Sequence, residues 1–258
     1  MRTRRYFLYL AVAFLVALTV VGCSSKERVT TEATRVTTPS PVATEPQSDE
    51  PTPPPETPTP EPVGQKVEVV SFHSVKDEYG SLDFIGEVTN VGDEDAASIQ
   101  VVLSLTDGQG NVVGTGTSYV DALSILPPGE TIPFDIYVSN PPASWAKESI
   151  QVQAEAADSF SRSSVYSDLE ASGVTIAPDE YLGVTVRGVV KNTGTETAQL
   201  VQVTFAAYDS AGAIQAVDFT FANLDQIAPG GTSPFEISVL DLDAAPASYK
   251  LFVEGNPP

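Results

Sequence analysis

Cysteine, histidine, tryptophan and methionine each occur once in the 258 residues, and basic residues are scarce. With Cys23 as the single thiol, an intramolecular disulfide and a thiolate metal cluster are both excluded. With His73 as the single histidine, a Ser-His-Asp triad would depend on that residue alone. The formal charge of −21 argues against nucleic acid and against wide contact with anionic lipid.

The N-terminus has the features of an export signal. Three arginines precede an apolar run over residues 6–21, which is typical of a secretory signal peptide over residues 1–22. The run ends in "TVVGCSS", where the small Gly22 before Cys23 resembles the lipobox of bacterial lipoproteins. The resemblance implies lipidation of Cys23, an anchor in the cell membrane and an extracytoplasmic location for the remainder. An uncleaved span is the alternative, but the run is short for the roughly 20 residues that a span needs.

The segment that follows the signal has the composition of a spacer. Residues 23–65 are rich in proline, threonine, glutamate and serine, and they contain few apolar side chains. Such a segment cannot bury enough surface to offset the entropy of ordering, so we predict a disordered tether. Its prolines favour extended polyproline II conformations, which would separate the rest of the chain from the membrane.

The rest of the chain contains one unit twice. A shift of 102 residues aligns "GEVTNVG" at 86–92 with "GVVKNTG" at 188–194. A shift of 101 then aligns "LPPGETIPF" at 126–134 with "IAPGGTSPF" at 227–235. The predicted divisions are a signal peptide at 1–22, a tether at 23–65, a first domain at 66–157, a linker at 158–167 and a second domain at 168–258.

Each unit alternates apolar and polar residues with a period of two, which predicts half-buried strands. The apolar faces comprise Leu82, Phe84, Gly86 and Val88, then Ile99, Val101, Leu103 and Leu105, and in the second unit Leu182, Val184, Val186, Gly188 and Val190, then Val201, Val203, Phe205 and Ala207. Asp83, Glu87, Val102 and Thr204 point the other way. Further strands are predicted near 112–120, 131–138 and 149–156, and no stretch has convincing helical periodicity. About seven short strands per unit predict an all-β chain with two tandem Ig-like β-sandwich domains.

The second unit resembles the FxLYD family of prokaryotic surface domains at "FAAYD", residues 205–209, where Ala207 replaces the family's leucine. The counterpart in the first unit is "LSLTD", residues 103–107. Shared Asn-x-Gly and Pro-Gly turns support the resemblance, and they are also found in cell-adhesion-type Ig-like domains. Both families imply an Ig-like sandwich, and neither implies a catalytic site. In the Asn-x-Gly turns, we expect Gly92 and Gly194 to need an unusual φ.

Candidate reactive groups have simpler structural explanations. His73 is expected on a strand edge, and Trp145 is expected to pack against the core. "DGQGN" at 107–111 and "GDED" at 92–95 offer oxygen ligands for calcium, but turn chemistry explains these residues without a metal. Asp241 and Asp243 have no obvious partners. We therefore predict no catalytic residue, no metal and no cofactor.

Three hypotheses for function remain. The first is a non-catalytic envelope lipoprotein that displays two Ig-like domains for protein interaction or structural spacing. The second is an accessory solute- or polysaccharide-binding protein with a groove between the domains. The third is a carboxylate-based hydrolase. Exposed aromatic residues lining an interdomain cleft would favour the second hypothesis, and a close pair of buried carboxylates would favour the third.

Overall fold

The computed structural model describes residues 64–258, except for residues 78, 121 and 180–182. The predicted signal peptide, Cys23 and nearly all of the predicted tether lie outside the described residues. The described part is almost entirely β-structure arranged in four sheets, which confirms the predicted all-β fold with two tandem Ig-like sandwiches.

The first sandwich is built from antiparallel strands in two sheets. Its strands are β1 (Val67–Lys76), β2 (Leu82–Asn90), β3 (Ala96–Thr106), β4 (Val112–Tyr119), β5 (Ile125–Leu126), β6 (Thr131–Val138) and β7 (Lys147–Ala156). One sheet has the order β1-β2-β6, and the other has the order β4-β3-β5 with β7 also paired to β3. Phe84, Leu103 and Ile136 lie fully buried between the two sheets.

The second sandwich repeats this topology. Its strands are β8 (Leu169–Pro178), β9 (Val184–Asn192), β10 (Ala198–Tyr208), β11 (Ile214–Phe221), β12 (Gln226–Ile227), β13 (Thr232–Val239) and β14 (Ser248–Asn256). One sheet has the order β13-β9-β8, and the other has the order β11-β10-β12 with β14 paired to β10. Its core is a separate cluster that includes Val186, Phe205 and Ile237.

The element positions reproduce the offset of the sequence repeat. β2 begins at Leu82 and β9 at Val184, 102 residues later, whereas β6 begins at Thr131 and β13 at Thr232, 101 residues later. The helix α1 (Ser159–Ser163) lies between the two sandwiches, and the Asp158 side chain caps it by accepting a hydrogen bond from the Ser161 amide. Five residues are too few to show helical periodicity in a sequence.

Glycines in the strands make room for the phenylalanines of the Pro-Gly motifs. Gly86 pairs with Phe134, and Gly188 pairs with Phe235. A Cβ atom at Gly188 would lie 2.6 Å from the Phe235 ring. The two motifs that aligned the repeats therefore meet in space, since the ring of one strand covers the glycine of its neighbour.

The prediction of an unusual φ at Gly92 and Gly194 is wrong, because neither residue has a positive φ. Close approach of other backbone and side-chain atoms requires glycine at both positions instead. A Cβ atom at Gly92 would overlap the Gly64 carbonyl oxygen and lie 2.6 Å from the Lys66 amide nitrogen. At Gly194 it would overlap the Tyr166 hydroxyl.

Candidate functional site

The asparagines of the two Asn-x-Gly motifs are structural residues. Asn192 is fully buried, and its Nδ2 donates hydrogen bonds to the carbonyls of Glu196 (2.7 Å) and Ile227 (2.8 Å). Its Oδ1 accepts hydrogen bonds from the Gly194 amide (3.0 Å) and the Tyr166 hydroxyl (2.9 Å). Asn90 is also fully buried and makes the equivalent bonds to backbone groups of the first domain. The asparagine side chains that support the family resemblance are thus used to hold loops together through hydrogen bonds.

The carboxylate considered for calcium in "DGQGN" organises its own turn. Asp107 Oδ1 accepts hydrogen bonds from the amides of Gln109 and Asn111, each at 2.9 Å, and Oδ2 accepts one from Asn111 Nδ2 at 3.0 Å. The Asn111 side chain, followed by the backbone bonds, holds the pKa of Asp107 below its ordinary value. Asp209 makes the same backbone contacts in the second domain. No group of three or more His, Cys, Asp or Glu side chains suited to a metal occurs among the described residues.

His73 and Trp145 lie apart in the first domain. His73 is half-buried on β1, at the edge of its sheet, and pairs in register with Ile85 of β2. Trp145 lies just before β7, packs partly buried against the first core and donates a hydrogen bond to Glu148 Oε1 at 2.9 Å. Trp145 therefore has the packing role that its sequence context predicted.

The two sandwiches contact each other through the outer faces of two sheets, a contact that the sequence reasoning missed. This domain interface contains Ile85 of β2 together with Ala206, Tyr208 and Ile214 of the second domain, all buried. On the same faces, Asp83 and Thr204 are buried although they point away from their own cores. Strands predicted to be half-buried are consequently buried on both sides.

A buried hydrogen-bonded pair lies in the domain interface. The Tyr208 hydroxyl donates a hydrogen bond to Glu87 Oε1 at 2.8 Å. Lys250 Nζ lies 4.0 Å from the same oxygen and 5.3 Å from the centre of the Tyr208 ring. Burial, followed by the hydrogen bond and the charge of Glu87, raises the pKa of Tyr208 well above its ordinary value.

The two copies differ at the positions that form this interface. Ile85 of the first copy corresponds to Arg187 of the second, which pairs with Glu236 on an exposed face at 2.8 Å. Tyr208 of the second copy corresponds to Thr106 of the first. A comparison of the two copies at outward-facing strand positions could therefore have revealed the interface from the sequence, because the copies differ there.

Removal of the Tyr208 hydroxyl should weaken the interface. Tyr208→Phe leaves the buried Glu87 carboxylate without its donor, so we expect a loss of about 1–3 kcal/mol in the free energy of unfolding. Urea titration of the full chain would measure this loss, with Tyr249→Phe as a control because Tyr249 is partly exposed. The folded chain holds the Tyr208 proton more tightly than the unfolded chain, so the contribution is fully present below about pH 10 and falls progressively as the pH rises above that value. An unchanged midpoint for Tyr208→Phe would contradict this role.

A groove lies where the two sandwiches and helix α1 meet. This interdomain groove has a volume of about 380 Å³, and Ser98, Tyr119, Phe160, Ser164 and Asn256 are among its lining residues. The first two belong to the first domain, the next two to the helix and its C-terminal cap, and the last to the end of β14. Tyr119 and Phe160 are 67% and 76% exposed. A groove with exposed aromatic rings is the feature expected of the solute- or polysaccharide-binding hypothesis.

Contacts beside the groove join its parts. Both the amide and the hydroxyl of Ser124 donate hydrogen bonds to the Glu254 carboxylate, the amide at 2.9 Å. Burial raises the pKa of Glu254 above its ordinary value, and the bonds from Ser124 oppose that shift. Arg162 of α1 forms an ion pair with Asp95 of the first domain. The linker and the second domain are thus both held against the first domain near the groove.

Fold and site together define a pair of Ig-like β-sandwiches joined face to face, with an aromatic-lined groove at the junction. No protein-family model matches the chain, and no curated protein matches its sequence. A crystal structure of red sea bream transglutaminase is similar over 74% of this chain and 29% of that chain, with 13% identity and a TM-score of 0.23. A β-glucuronidase from glycoside hydrolase family 2 is similar over 71% of this chain and 21% of that chain, with 10% identity and a TM-score of 0.18.

The chain thus spans less than a third of the length of either enzyme, and neither similarity bears on its activity. Across the residues that the structure describes, helices long and apolar enough to cross a bilayer are absent.

Proposed function

We propose that this chain is a non-catalytic lipoprotein of the bacterial cell envelope that presents two joined FxLYD-type domains for interaction or spacing. The observation that carries the proposal is the domain interface, in which Tyr208 of the second domain bonds to Glu87 of the first. Two linked domains with a buried contact present one combined surface. The proposed partner is an envelope protein or polysaccharide, and nucleic acid is disfavoured by the formal charge of −21.

The roles of the motif residues support a non-catalytic function. Asn90 and Asn192 are occupied by backbone groups, and Asp107 is occupied by its own turn. Hydrogen bonds hold the pKa of Asp107 low, which makes this carboxyl a poor general acid at neutral pH.

Lipid attachment should depend entirely on Cys23. The chain contains no other cysteine, so Cys23→Ala removes the only thiol that can accept a diacylglyceryl group. Metabolic labelling with a palmitate analogue should label the wild-type chain and leave the Cys23→Ala chain unlabelled. Equal label in both chains would exclude the lipoprotein assignment.

The joined pair can be tested by separating the domains without unfolding them. Ile85→Arg introduces the residue found at the equivalent position of the second copy, so it should disrupt the domain interface while the first core persists. In cross-linking of whole envelopes, wild-type chain and Val112→Arg should give the same cross-linked species, because Val112 is 60% exposed. Ile85→Arg should lose them. Retention of the same species by Ile85→Arg would show that the pair does not act as one surface.

A second candidate function is favoured by the interdomain groove. Tyr119 and Phe160 are exposed on its walls, which supports an accessory polysaccharide- or solute-binding role for the same lipoprotein.

A further inference from the structure

The interdomain groove combines exposed aromatic rings with small hydrogen-bonding side chains. Phe160 is 76% exposed on a helix that contains no buried residue, so its ring does not contribute to a core. Tyr119 ends β4 and is 67% exposed on another wall of the groove. Ser98, Ser161 and Ser164 line the same groove, where the Ser161 and Ser164 hydroxyls donate to the Asp158 carboxylate and the Phe160 carbonyl and keep their oxygens as acceptors. A volume of about 380 Å³ is within the roughly 300–1,000 Å³ typical of small-molecule sites.

Local backbone geometry positions this surface. β3 has a bulge between Ala97 and Gln100, and within it Ser98 adopts a φ of 51°. A bulge bends its strand and redirects side chains, and a left-handed φ at a residue other than glycine is strained. Ser98 of this bulge and Phe160 of α1 both line the groove.

The charges of the lining limit the chemistry of the ligand. Among the described residues that line the groove, none is Asp, Glu, Lys, Arg or His. An anionic ligand would lose hydration there without meeting a cationic side chain among these described lining residues. A purely apolar ligand would cover the Ser98 hydroxyl and the Asn256 side-chain amide without giving them hydrogen-bond partners. The excess of negative charge on the chain also repels anionic polymers.

We propose that the interdomain groove binds a neutral glycan, with sugar rings stacked on Tyr119 and Phe160. A pyranose ring has an apolar C–H face, which fits the negative face of an aromatic ring, and a rim of hydroxyls, which fits serine and asparagine side chains. The inference rests on the non-catalytic function proposed above, because the glycan is held and released unchanged.

Calorimetric titration of the full chain in detergent tests this site. The probes are maltohexaose, cellohexaose, N-acetylchitohexaose and the anionic hexamer of galacturonic acid. At least one neutral oligosaccharide should bind, and Phe160→Ala and Tyr119→Ala should each weaken binding by about tenfold or more. Phe221→Ala is the matched control, since Phe221 is 51% exposed on β11 and is not among the lining residues. It should leave the affinity unchanged.

Failure of the site and failure of the proposed function give different results. Absence of binding to all three neutral probes, equal binding by Phe160→Ala, or tighter binding of the anionic hexamer would overturn the glycan site. Circular dichroism should show that both alanine variants keep the wild-type melting temperature, because the replaced rings are exposed. Chromatography of the recovered oligosaccharide should show intact hexamer. Cleaved product would leave the binding site standing and refute the non-catalytic function.

Discussion

Phe205→Ala is expected to destabilise the second domain by about 3–5 kcal/mol. Phe205 is fully buried in β10, and its ring stacks on Tyr249 with a centroid distance of 5.7 Å. Loss of the ring leaves a cavity in a core that belongs to the second sandwich alone. Since native domains have about 5–15 kcal/mol of stability, this loss removes much of what holds the domain.

Two probes resolve the two domains in this experiment. Trp145 is the only tryptophan of the chain and packs against the first core, so its fluorescence reports unfolding of the first domain. Far-ultraviolet circular dichroism reports both domains. For Phe205→Ala, part of the dichroism should be lost at a lower urea concentration than the one at which the fluorescence changes. Phe221→Ala should behave as wild type. Coincident curves for Phe205→Ala would mean that the domains unfold as one unit.

Asn192→Asp is expected to destabilise the second domain by about 2–6 kcal/mol. The substitution is nearly isosteric, but it replaces an amino group with an oxygen that faces the carbonyls of Glu196 and Ile227. Each buried carbonyl loses its donor, at about 1–3 kcal/mol apiece. A protonated aspartate can restore one donor, so the deficit should shrink as the pH falls toward about 4.

The first domain supplies an internal comparison for this substitution. Asn90 donates to the carbonyls of Glu94 and Leu126, both at 2.8 Å. Thermal melts followed by Trp145 fluorescence should shift with Asn90→Asp, while the dichroism should reveal the effect of Asn192→Asp. Wild-type melts for both variants would show that the Asn-x-Gly motifs are dispensable.

The strands and their repeat were predictable because they depend on local patterns. Alternation with a period of two places Leu103 and Phe205 in their cores, where the structure has them fully buried. The offset between the copies follows from side chains that occupy equivalent positions in equivalent strands. The alternation of apolar and polar residues can be recognised from a few neighbouring residues, without knowledge of the tertiary contacts.

The interface and the residues that line the groove were not predictable in this way. Thr204 looks like a solvent-facing residue, since polar residues on a strand face usually meet water, yet it is buried. Its environment depends on a surface distant in sequence. Likewise, the role of Gly92 depends on the approach of the chain near Gly64, which lies on a different segment.

The contact between the domains is made by two unlike faces, and this has a consequence for assembly. If the two domains were identical, a contact between unlike faces would leave one face of each kind unoccupied at the two ends of the pair. Further identical domains could then add at both ends without limit. In this chain the free faces are not copies of the joined ones. Where Ile85 lies in the contact, the free face of the second domain has Arg187 paired with Glu236.

The other free face is changed in the same manner, since Thr106 stands where the contact uses Tyr208. A further domain approaching either end would have to bury a charged pair or would lack the tyrosine that bonds to Glu87. The differences between the two copies therefore disfavour a repetition of the same contact at either free face, and with it the growth of a filament.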